Sequence, residues 1–302
     1  MATTQNKIPI QACEHIAAWN SQTVNFLYND FFIKTKNCNI PTEIIQQFNN
    51  LPVKSFCLFS HKDKLSLFRV TKPYSDFNKY NPSHYFAPSP NSEPCKKPDR
   101  FRVAGKSLFY GTKLSNLAFH ESYQFEINSN PNFSSKGFLS LWEFDINSGD
   151  NFHAFIPKDR SFGNDEIYNL LYSNDNNILE VTIEATNNLA KIVLDKNNKE
   201  ISSALGNEFI YNQGATGIMY SSTLAKNGIN FAINPIKMEP RSKLIATFEF
   251  QISKGHLRIS KAGKLLNSQN HIQWFNTTQR EYRKLISKYI QNENLDFISP
   301  QS

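Results

Sequence analysis

Three rows of apolar residues in this chain each end in a residue that does not suit a core. Between residues 113 and 122, Leu114, Leu117, Ala118 and Glu121 recur at i, i+3, i+4 and i+7 and share one helical face. A carboxylate on such a stripe is costly unless it is paired or opens into a cleft. The alternation from Lys64 to Thr71 predicts a strand with Leu65, Leu67 and Arg69 on one face and Phe68 and Val70 on the other. In Gly217–Ser222, Ile218, Tyr220 and Ser222 fall on one face, so a hydroxyl closes a hydrophobic row. One such break commonly marks a snorkelling or edge residue. Three of them, supplying a guanidinium, a carboxylate and a hydroxyl, point to a site.

The remaining pattern places these rows. Residues 1–60 read as mostly helical, with helices over Ala12–Phe32 and Thr42–Asn50, the second started by Pro41. Pro82, Pro88, Pro90, Pro94 and Pro98 make 82–98 a loop. The segment 99–112 then carries Arg100, Arg102, a turn at Gly105 and a short strand Ser107–Thr112, directly ahead of the helix with Glu121. Strands are predicted at Phe138–Ile146, Asn151–Ile156, Ile178–Ala185 and Ala190–Asp195, as additional sheet without catalytic residues. Leu244–Ile252 and Gly255–Ile259 read as a hairpin about Ser253 and Lys254. The expected organisation is a helical extension over 1–60, a main domain over 61–260 with a β-rich insert at about 134–205, and a C-terminal helix and tail over 261–302.

Composition narrows the class. A chain of 302 residues, 39% hydrophobic and 20% charged, can bury a large core, and its 25 phenylalanines make that core aromatic. No run of eighteen apolar residues predicts a membrane helix. The first residues lack the features of a signal peptide, so a cytoplasmic location is expected, with delivery into a target cell as the other route. Cys13, Cys38, Cys57 and Cys95 form no C-x-x-C pair, which favours reduced thiols over a zinc site. The histidines are scattered, and His120 points off the face of Glu121. The formal charge of +7 is accompanied by no nucleic-acid motif. Its densest stretch, Gln279–Lys288, reads as a solvated helix face or a dock for an acidic partner.

The order of these features resembles the RES domain, a family named for its Arg, Glu and Ser. A strand ends in Arg69. A turn Asp99-Arg100-Phe101-Arg102-Val103-Ala104-Gly105 follows, where the family usually reads Gly-Arg-Phe-Asn-Pro-x-Gly. A strand with Tyr110, a helix with Glu121, the run Gly217-Ile218-Met219-Tyr220-Ser221-Ser222 and Asn230 complete the set. The resemblance spans roughly residues 64–236. It implies an α+β fold with a split antiparallel sheet of the ADP-ribosyltransferase type and flanking helices. It also implies an NAD+-degrading toxin, acting as a glycohydrolase or phosphorylase, with NAD+ as substrate and no metal or other cofactor. A neutralising antitoxin or immunity protein is the implied partner.

By the same resemblance, Arg69, Glu121 and Ser222 are the catalytic candidates. Arg69, Arg100, Arg102, Tyr110, Ser221 and Asn230 are the candidates for holding the substrate. Arg100 is the direct match to the second family arginine, with Arg102 as its alternative, and Ser221 competes with Ser222. The residue types suit that chemistry. Guanidinium groups bind a pyrophosphate in bidentate fashion. A carboxylate stabilises the positive charge that develops on the ribose when its bond to nicotinamide breaks. Tyr110 offers a flat face to the nicotinamide ring. Plainer readings stand beside these: Arg69 with Glu121 as a structural ion pair, Tyr110 as core, and Ser222 as a strand-end hydroxyl. At the level of function, the alternatives are a protein mono-ADP-ribosyltransferase and a non-catalytic binding module. The acceptor of the ADP-ribose (water, phosphate or protein) is open.

Overall fold

The computed structural model describes residues 10–12, 21–58, 63–156, 187–222, 228–266, 271–287 and 289, apart from 37, 39, 50, 52, 196 and 255. It is an α+β protein whose body is a mixed, mostly antiparallel sheet of nine strands: β3 (Asp63–Thr71), β4 (Phe109–Thr112), β5 (Ser134–Ile146), β6 (Asn151–Phe155), β7 (Gly217–Ser221), β8 (Ile229–Ile233), β9 (Ser242–Ser253), β10 (His256–Leu266) and β11 (His271–Asn276). Two more strands, β1 (Ile10–Ala12) and β2 (Val53–Leu58), extend one edge, giving the order β1-β2-β6-β7-β8-β4-β3-β5-β9-β10-β11. Among the described strands only the β6–β7 pair is parallel. Helices α1 (Ser21–Thr35), α2 (Pro41–Asn49), α3 (Ser115–Ser129), α4 (residues 187–194), α5 (Lys199–Gly206), α6 (Pro235–Met238) and α7 (Gln279–Ile286) flank the sheet. None of the described helices is long and apolar enough to cross a membrane.

Period-two alternation sorts the side chains into separate cores. On β7, Ile218 and Tyr220 face α2, α4 and α5, while Met219 faces the opposite cluster with Phe231, Phe109 and Phe152. A third cluster packs α3 and α7 onto the other half of the sheet through Phe119, Tyr123, Tyr282, Phe248 and Phe250. α2 follows its predicted course, burying Ile44 and Phe48. α7 starts at a capping box formed by Thr278 and Glu281 and buries Tyr282 and Ile286, whereas Leu285 is exposed. The β9–β10 hairpin turns where expected, with His256 opposite Ser253.

Several expectations change. Residues 190–194 are helical, because Leu189, Ala190, Val193 and Leu194 form a buried stripe at helical spacing. The stretch 178–185 lies outside the described residues. β5 is no insert: it lies between β3 and β9 in the centre of the sheet, a pairing that composition cannot reveal. Ala12 belongs to β1 rather than to a helix, and β11 adds an edge strand where only a helix and tail were expected. The loop 82–98 holds two short 3-10 turns, with Tyr85, Phe86 and Cys95 buried beneath it.

One close approach fixes the turn that carries Arg100 and Arg102. Asp99 and Arg102 exchange backbone hydrogen bonds of 2.8 and 3.0 Å, and Phe101 between them has φ of 60°. That conformation costs a non-glycine residue about 1–3 kcal/mol. Burial of the ring offsets it: Phe101 is fully buried, stacked on Phe155 and tilted against Tyr220. Gly206, at the end of α5, packs directly on this turn, and a Cβ there would sit 2.0 Å from the Phe101 carbonyl oxygen. Gly206→Ala is expected to destabilise the protein by about 1–3 kcal/mol, seen as a lower urea midpoint. An unchanged midpoint would show that the turn yields.

Candidate active site

The sheet parts where β3 meets β4. A single register pair, Phe68 with Thr112, joins these strands, while β3 pairs with β5 over nine residues on its other side. Residues of both strands about that pair line a cavity of about 490 Å³, within the range of small-molecule sites. Arg69, Arg100, Arg102, Tyr110, Glu121 and Asn230 all line it.

Glu121 reaches the cavity because the rest of its stripe is committed. Leu117 and Ala118 are buried and seat α3, and the next turn carries the carboxylate to the rim. Glu121 is exposed there rather than buried. Its Oε1 accepts hydrogen bonds from the Ser222 hydroxyl at 2.5 Å and the Asn230 amide at 2.7 Å. Its Oε2 has no partner among the described residues. Ser222 follows β7, its backbone N–H donating to the Gly228 carbonyl. A Cβ at Gly228 would meet the tip of the Leu117 side chain at 2.4 Å, so a larger residue there would make Leu117 shift. Asn230 sits on β8 opposite Thr112 and Tyr220. Neither serine lines the cavity itself: Ser222 meets it through Glu121, whereas Ser221 falls on the other face of β7, its buried hydroxyl without a partner among the described residues.

The arginines have different commitments. Arg69 donates to the Tyr110 carbonyl at 3.1 Å and lies over the Phe109 ring, and its buried Nε has no partner among the described residues. No ion pair joins it to Glu121 among the described residues, so the structural-pair reading does not hold. Burial, and then the neighbouring Arg102, pull its guanidinium down to about 10, still cationic at neutral pH. Arg102 is buried and braces the loop, donating to the Pro94 and Lys97 carbonyls and to Cys95 Sγ. Arg100 spends one nitrogen on the Leu194 carbonyl and lies over the Tyr220 ring. The Tyr110 hydroxyl is tied to the Arg100 carbonyl.

The cavity-lining residues that went unassigned in the sequence include Tyr220, Tyr74, His84 and Lys199. Tyr220 shares a face with Ser222 and was legible in that row. Burial, then Glu121 beside it, push its phenol up, with Arg100 opposing. Tyr74 and His84 lie on loops without periodicity, and Lys199 opens a helix inside the expected insert, so nothing in the pattern marked them. The cavity is cationic on balance, with Arg69, Arg100, Arg102, Lys72 and Lys199 against Asp99 and Glu121, although Lys72 is paired with Glu126. Among the described residues no group of three His, Cys, Asp or Glu could hold a metal ion. No family model matches this chain. Among the curated proteins none matches either.

Proposed function

We propose that this protein cleaves the bond between nicotinamide and ribose in NAD+, as a RES-type glycohydrolase or phosphorylase built on a split, ADP-ribosyltransferase-like sheet. The observation that carries the reading is Glu121, held at one oxygen by Ser222 and Asn230 beside a cationic cavity, with its other oxygen unpartnered among the described residues. Arg69 and Arg100 take the pyrophosphate, while Arg102 supports their loop. Tyr110 takes the nicotinamide. The C–N bond breaks with its electron pair leaving on the neutral nicotinamide. The positive charge on the ribose is met by the Glu121 carboxylate, and a phosphate oxygen, or a water that gives up a proton to solvent, then bonds to the same carbon. An enzyme of this kind depletes the NAD+ of its own cell, so a neutralising partner belongs to the reading. A protein acceptor for the ADP-ribose is the second outcome of the same site.

The test is NAD+ loss with purified protein, with and without phosphate, products identified by mass. Nicotinamide with ADP-ribose marks a glycohydrolase, and a phosphorylated ADP-ribose appearing only with phosphate marks a phosphorylase. Radiolabel on protein marks a transferase. Intact NAD+ with folded protein and no labelled target defeats the reading.

Two further results are expected. Ser222→Ala removes one of the two donors orienting Glu121 and lowers turnover by up to about a hundredfold. Ser221→Ala, on the other face, leaves kinetics unchanged; equal losses in both variants would contradict the assignment. With burial pulling the Arg69 guanidinium down to about 10, KM for NAD+ is expected to stay flat between pH 7 and 8 and to rise as pH approaches 10. A KM unchanged both by pH up to 10.5 and by Arg69→Ala would remove Arg69 from substrate binding.

A further inference from the structure

The tyrosines and arginines give the cavity a direction. Tyr220 lies in the field of Glu121, Arg100 and Asp99. Arg69 lies in that of Arg102, Tyr110 and Tyr74. Tyr74 in turn lies beside Arg69, on the loop that leaves the end of β3. Tyr220 therefore lies with the carboxylate and Arg100, while Tyr74 lies with Arg69 and has His84 stacked beside it.

These two rings differ from their neighbours. Tyr85 and Phe86, next to His84, are buried in the core, whereas Tyr74 and His84 are half-buried and line the cavity. Their planes are 20° apart with centroids 6.4 Å apart, so a flat ring lying against one lies nearly parallel to the other. Both are braced from beneath by Phe77, which meets Tyr74 edge-on and stacks on Phe138. The Asn78 backbone N–H donates to His84 Nδ1 at 2.9 Å and fixes the ring's orientation.

We infer that Tyr74 and His84 form a stacking subsite for the second base of a dinucleotide, the adenine of NAD+, and that this subsite selects dinucleotides over mononucleotides. The inference rests on the reading of the cavity as an NAD+ site. Aromatic stacking of a base contributes binding without requiring a base-specific hydrogen bond. It acts far from the bond that breaks, so it lowers KM and leaves the chemical step alone.

The experiment compares NAD+ with nicotinamide mononucleotide, which has the same scissile bond and no adenine. Tyr74→Ala and His84→Ala are expected to raise KM for NAD+ roughly tenfold to a hundredfold, with kcat nearly unchanged and mononucleotide kinetics unaltered. Tyr74→Phe should restore wild-type behaviour. Tyr74→Leu, which keeps an apolar contact with Phe77, guards against a misfolded alanine variant and should retain the NAD+ defect. Equal effects on both substrates, or none on NAD+, would overturn the subsite. If the wild type cleaves neither substrate, the reaction reading fails, and calorimetry tests the subsite separately. Tighter binding of AMP than of ribose 5-phosphate, lost in Tyr74→Ala, supports it; equal binding of the two by the wild type refutes it.

Discussion

Glu121→Gln is expected to lower NAD+ cleavage by about 10²–10³-fold while leaving the thermal midpoint close to that of the wild type. The side chain stands at the rim of the cavity, exposed, and makes no ion pair among the described residues whose loss would cost stability. An amide oxygen can still accept from the Ser222 hydroxyl and the Asn230 amide, so the local geometry survives. What disappears is the negative charge facing the ribose. Mass analysis of NAD+ products and a melting curve on the same preparation decide the matter. Turnover equal to the wild type would remove Glu121 from catalysis. Loss of the folded state would make it structural.

Asp150→Ala is expected to cost about 3 kcal/mol of stability, toward the lower end for a buried pair broken from one side, because Arg241 keeps some contact with water. Asp150 is 4% exposed and accepts from both terminal nitrogens of Arg241, at 2.7 and 2.9 Å, from the Thr216 hydroxyl and from the Asn147 backbone. These groups lie at the turn after β5, just before β7 and just before β9, so one carboxylate ties three connections at one end of the sheet. Burial pushes the Asp150 carboxyl up, but its hydrogen bonds, led by that from Arg241, outweigh this and hold it below the usual range. The sign follows. A depressed carboxylate contributes its stability above the unfolded value, roughly 3.9, and loses it as pH falls through the folded value. The gap in urea stability between wild type and variant should therefore be full at pH 7 and shrink below about pH 4. A gap independent of pH would show that the loss is one of packing.

Much of the local structure was legible because it follows from periodicity. The strand with Arg69, the helix with Glu121, the row ending in Ser222, the proline-started α2 and the β9–β10 hairpin need only the alternation or helical spacing of their own residues. Asn230 shows the limit. Asparagine is common in this chain, and nothing local sets this one apart, yet its amide lies 2.7 Å from Glu121. Residues 190–194 show another: five residues carry too little pattern to separate strand from helix until their neighbours are included.

The sequence by itself determined which residues share a face, and therefore that a guanidinium, a carboxylate and a hydroxyl each close an apolar row. That is a property of backbone geometry, repeated every few residues. Only the tertiary structure decided that β5 is central, that Ser222 rather than Ser221 meets Glu121, that Arg102 is spent on its loop while Arg100 stays largely uncommitted, and that Tyr74 and His84 join the cavity. Each of these depends on pairings between segments far apart in the chain. Such pairings are selected by the packing of whole faces against one another, which no window of local sequence contains.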